Sequence, residues 1–277
     1  MTAIRSIVPV RTLRASSLAV RVVMVLASLA WLVSLGLELT GRAAALHHHA
    51  LIEPGGPPLW VGLPIFLVSW QVMIASMMLP ASVRAVGVVA GSRWIARPRA
   101  AIVGFLGAYS LVWTGFGLAA FVGDKGLHAL VHASPWLASR PFVIQAFVLA
   151  LAGAWQLVPL RRRALEACRH PARRVGSALA APVAPVAPAL ERSLRAQDLG
   201  AGYRSGLGHA TDCLVASWAV MLLMFAAGVA NLAWMAVLAA AMAYEALGRR
   251  GSTFGILFGL ALLDLAAIAG TGFTIAF

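Results

Sequence analysis

Seven apolar runs, at about 18–40, 59–81, 100–122, 141–160, 210–228, 231–247 and 253–275, restrict what this chain can fold into. Crossing ~30 Å of hydrocarbon takes about 20 helical residues, and only the sixth run is clearly shorter. It is tied to the fifth by "GVAN", Gly228 to Asn231, which reads as a tight helical hairpin. In lipid a segment must satisfy its own backbone polar groups, which favours helices. The expected fold is therefore all-α: a polytopic integral membrane helical bundle of about seven transmembrane helices in a single domain, 1–277. Charged residues make up 11% and hydrophobic ones 61%, against roughly 25% charged in soluble domains, so a water-soluble fold is disfavoured.

The net charge of +13 does not point to nucleic acid. Basic residues fall in blocks between the apolar runs and form no continuous solvated face. Nineteen Lys and Arg lie in the N-terminal segment through Arg21 and in the 82–99, 161–209 and 248–252 connections, against Arg42, Lys125 and Arg140 on the other side. The positive-inside rule then places the N-terminus in the cytoplasm and the C-terminus outside. The first run is longer than the apolar core of a cleavable signal peptide, so it is expected to stay as a span. Segment 161–208 reads as a basic cytoplasmic loop whose repeat "APVAPVAP" favours a stiff, extended spacer. Cys168 and Cys213 both fall on the inner side, where a reducing cytoplasm disfavours a disulfide.

Potential metal ligands fall into two groups. On the outer side, "VGDKGLHALVH" carries Asp124, His128 and His132 at intervals of four. With Gly123 and Gly126 loosening the end of the third span and Pro135 acting as a stop, "LHALVHA" fits a short interfacial helix. His128 and His132 would then share a face, while Asp124 joins only through a bend or as an acceptor orienting His128. An amphipathic connector facing lipid headgroups is the alternative. The other outer loop holds His47, His48, His49 and Glu53, which suit zinc, copper or iron or else form a solvated polar cap.

On the inner side, "HATDC" puts His209 and Cys213 one turn apart. Counting depth from the 228–231 turn sets Cys213 level with Ala246, beside Glu245. Met73 and Met77 share a face of the second span near the same level. Thioether, thiol, imidazole and carboxylate at one depth form a soft-metal set, with ordinary helix packing as the alternative for the methionines. Asp264 sits at the middle of the last run. An ionisable residue there is either functional or a protonated, hydrogen-bonded packing residue.

The segments "SWQVMIASMMLPAS", "YSLVWTGFGLAA", "WQLVPLRRRALEACRHP" and "GYRSGLGHATDCLVASWAVMLLMFAAGVANLAWMAVLAAAMAYE" resemble a family of bacterial predicted metal-binding integral membrane proteins, a domain of unknown function. The likeness covers most of residues 60–247. Among the matching positions are Trp70, Met73, Met77, Met78, Trp113, His128, Pro159, Cys168, Arg169, His209, Cys213, Met221 and Glu245. The resemblance implies a helical bundle in the bacterial inner membrane and a bound metal, without a known reaction. One departure matters: relatives continue from the cysteine matching Cys213 as C-x-x-C-C, whereas this chain has Ala216 and Ser217. That lowers the thiol count of the inner site and shifts weight to the outer histidines.

The function expected is binding of a transition metal in the membrane, copper first, with zinc or iron as alternatives. The chain would serve metal handling or act as the metal-binding subunit of a membrane complex. A loose likeness of Asp124, His128 and His132 to the metal subunit of membrane copper monooxygenases gives an enzyme-complex alternative. A metal-free membrane scaffold is the third. The partners expected are the lipid bilayer, other membrane subunits and a metal-receiving protein, with no nucleic acid.

Overall fold

The computed structural model describes residues 10–43, 51, 56–172, 190–227 and 231–272. Its principal helices are α1 (Val10–Leu39), α2 (Leu59–Met77), α3 (Leu79–Ala90), α4 (Pro98–Ala133), α5 (Pro135–Ala138), α6 (Pro141–Leu157), α7 (Pro159–Arg169), α8 (Leu190–Ala227), α9 (Leu232–Leu247) and α10 (Gly251–Gly270). The fold is all-α, with no strand among the described residues. Four consecutive helices, α4 to α7, begin on a proline. The ring presets the helical φ at a position where no amide hydrogen is needed.

Against an expectation of about seven spans, fewer helices among the described residues have the length and composition of one. Among the described residues, five helices are long and apolar enough to cross a bilayer, and a sixth results if α6 and α7 form one span despite the 67° bend between them. α9 has 16 residues, about 24 Å of helix, and falls short. The run at 141–160 is cut at Pro159, whose ring disfavours helical backbone at the preceding residue; Val158 is extended, with ψ 131°.

Two further boundaries differ from expectation. The third span does not stop at 122: α4 continues through Gly123 and Gly126 for 36 residues. Each helical glycine costs only about 1 kcal/mol relative to alanine, too little to end a long helix. The real stop is Ser134, extended before Pro135. Much of the expected 161–208 loop is also helical, since α7 lies at its start and α8 begins at Leu190. The Ala-Pro repeat itself lies outside the described residues.

α4 and α8 make the most extensive contact in the bundle, and glycine explains it. A Cβ on Gly104 would stand 2.1 Å from the Leu199 carbonyl oxygen, one on Gly202 2.1 Å from that of Ala101, and one on Gly206 2.5 Å from that of Phe105. The Gly202-x-x-x-Gly206 spacing lets two backbones touch, as small residues do between membrane helices. On the other side of α4, Gly117 makes room for Trp70, whose indole N–H donates to the Trp113 carbonyl at 2.8 Å. Trp70, Trp113, Tyr109, Phe66 and Phe105 fill the centre.

Candidate metal centre

The close approach of α4 and α8 sets Cys213 against Tyr109. The Tyr109 hydroxyl and the Cys213 sulfur are 3.3 Å apart, and both residues are buried. One turn away on α8, the His209 ring packs on Phe105 and Tyr109, with centroids at 5.6 and 6.2 Å.

α7 supplies the second sulfur. Its buried residues are Arg161, Ala164, Leu165 and Cys168, an i, i+3, i+4, i+7 stripe that turns one face inward. Both ends of that stripe are fastened. Arg161 donates through Nε to the Ala216 carbonyl at 3.1 Å and through Nη2 to the Glu245 carboxylate. Arg169 donates to the main-chain oxygens of Glu245 and Gly248, each at 2.7 Å. Held this way, Cys168 faces the Cys213 side of the core, near enough for the two thiols to interact. Neither cysteine forms a disulfide, and both are buried.

Of nine methionines in the chain, seven lie buried in the same core as the two cysteines: Met73, Met77, Met78, Met221, Met224, Met235 and Met242. The buried core of the bundle as a whole is thus rich in thioether sulfur.

The expected inner ligands are therefore distributed as follows. Cys213, His209, Met73 and Met77 are all buried. Glu245 is also buried, but its carboxylate is engaged by Arg161. Spacing along the chain pairs neither Cys168 with Cys213 nor Arg161 with Glu245. The apolar stripe of α7 is the signal that would have pointed Cys168 inward.

At the other end of α4, the His128 Nδ1 is 2.9 Å from the Asp124 main-chain oxygen and 3.5 Å from its carboxylate. His132 comes one turn later on the same helix and is exposed. Asp124 thus sits beside His128, as one straight helix requires, and two turns from His132. His47, His48, His49 and Glu53 lie outside the described residues. Among the described residues, no group of three or more His, Cys, Asp or Glu side chains is placed to hold a metal ion.

This donor set fits one metal state better than others. Zinc in structural sites takes four ligands, and no such set is gathered among the described residues. Thiolate and thioether are soft ligands that select Cu(I), an ion content with two thiolates. The chain belongs to a copper-handling class. Residues 67–269 match the copper chaperone family PpoB2, and the protein is a member of that family. The match spans Cys168, Cys213 and the seven buried methionines. No curated protein and no solved structure matches the chain.

Proposed function

We propose that this protein is an integral membrane copper chaperone that holds Cu(I) between Cys168 and Cys213 and passes it to a metal-receiving protein. Copper is cargo in this reading. The observation that carries it is the proximity of two buried, reduced thiols from separate helices, inside a methionine-rich core. The basic asymmetry of the connections puts this end of the bundle at the cytoplasmic face, where thiols stay reduced. Two ligands leave the ion open to attack by an incoming thiol, so it can be handed on without first dissociating.

The test is copper content after anaerobic loading with Cu(I) in detergent. The wild-type chain should retain copper against a weak chelator. Cys168→Ser and Cys213→Ser should each lose most of it, because neither thiol alone completes a two-coordinate site. Wild-type retention in the double variant would overturn the assignment.

A second copper contact at the opposite end is supported by one observation, the Asp124–His128 contact. An Nδ1–H donated to Asp124 leaves Nε2 as the ligand atom, with His132 one turn along. In this reading the outer pair is a surface station for cargo, separate from the thiol pair.

A further inference from the structure

The last helix carries an ionisable side chain where a bilayer tolerates it least. Asp264 is the centre of the apolar run 253–275. It lies 13 residues from the start of α10 at Gly251, about 20 Å along the axis. Its side chain is too short to reach either headgroup region, unlike the long Lys and Arg stems that do so.

The packing of α10 turns Asp264 outward. The buried residues Gly251, Gly255, Gly259, Leu262, Ala266 and Ala269 form one stripe, which lies on α6 and α9. Glycine again brings the backbones together: a Cβ on Gly153 of α6 would stand 2.8 Å from the Gly259 carbonyl oxygen. The opposite stripe is exposed and comprises Leu257, Leu260, Ala261, Asp264, Ala267 and Ile268. Among the described residues, no hydrogen bond or ion pair reaches the Asp264 carboxylate. The sequence left two readings open, and an internal packing residue is not what the fold shows.

An aspartate at mid-span is costly to insert, and such residues ordinarily pair within a bundle. We infer that the outward face of α10 around Asp264 docks a transmembrane helix of another membrane protein carrying a Lys or Arg near its own midplane. Charge complementarity selects the partner. A second copy of this chain does not fit: apart from Arg21 at the edge of the first run, its Lys, Arg and His residues all lie outside the apolar runs. No copy can therefore present a cation at the depth of Asp264. The inference rests on α10 crossing the bilayer and is independent of the copper site.

The test uses synthetic spans in place of the unknown partner. The full chain, labelled with a donor dye, is reconstituted in phosphatidylcholine vesicles with acceptor-labelled Leu/Ala transmembrane peptides. One peptide carries a single central Arg, and its control carries Leu there. Energy transfer should show the Arg peptide binding the wild type at least about threefold more tightly than the control. Asp264→Leu should abolish that preference while leaving the helical signal and copper retention unchanged. Equal binding of both peptides to the wild type would overturn the inference. So would self-association of the wild-type chain that disappears in Asp264→Leu, which would assign the face to a second copy.

Discussion

The Tyr109 hydroxyl and the Cys213 sulfur, 3.3 Å apart, join the tightly packed α4–α8 pair to the thiol centre. Both groups are buried in the packed core, so the phenol is positioned before any metal arrives. A phenol O–H donated to a thiolate stabilises the form that binds copper. Tyr109→Phe should therefore slow alkylation of Cys213 about three- to tenfold, the worth of one such hydrogen bond. The measurement is maleimide labelling in a Cys168→Ser background, with unchanged helical content as the control. An unaltered rate would mean that the hydroxyl only packs there.

Arg161 and Glu245 are both buried, and each is the other's charged partner. Glu245→Gln leaves a guanidinium uncompensated in the interior, which costs about 3–5 kcal/mol. Replacing both together, as Arg161→Met with Glu245→Leu, removes the two desolvation penalties and should cost much less. Melting in detergent reads this: a large drop in Tm for the single variant and partial recovery in the double. If both variants melted alike, the pair would not be what fastens α7.

Glycines on α4 and α8 are expected to behave oppositely according to what faces them. A Cβ on Gly206 would meet the Phe105 main chain at 2.5–3.0 Å, whereas one on Gly107 would meet nothing within 4 Å. Gly206→Ala must push the two helices apart and should destabilise by about 1–3 kcal/mol. It should also weaken copper retention, because the shift moves Cys213. Gly107→Ala should be neutral or stabilising by up to about 1 kcal/mol. Thermal melts and copper retention of the two variants check this side by side.

The outer histidines make a separate prediction. With the thiol site removed by Cys168→Ser and Cys213→Ser, any copper still bound should depend on His128 and His132. Alanine at both should then lower it to background. Asp124→Asn should have a smaller effect, since the main-chain oxygen at 2.9 Å still orients the ring. If the residual copper ignores both histidines, the end of α4 is only a connector.

Local chemistry settled much of this protein in advance. Run length and composition determined an all-α fold of membrane character, since an apolar segment without water must close its own hydrogen bonds. Pro98, Pro135, Pro141 and Pro159 each begin a helix, a local signal that run length alone does not use: by that measure Pro135 reads as a stop and Pro159 as part of the fourth run. His128 and His132 were readable as a one-turn pair from their spacing.

Tertiary structure decided what joins across the bundle. Cys168 meets Cys213 because Pro159 bends the chain by 67°, Arg161 and Arg169 tie α7 down, and glycine lets α8 close on α4. No periodicity within either segment encodes that meeting. Glu245 has the chemistry of a metal ligand, but Arg161 reaches it from a helix distant in sequence. The outward aim of Asp264 likewise depends on which face of α10 its glycines hand to α6. A sequence specifies each helix through forces acting over one or two turns. Which side chains then share a point depends on how those helices pack, and that is set by contacts between residues far apart along the chain.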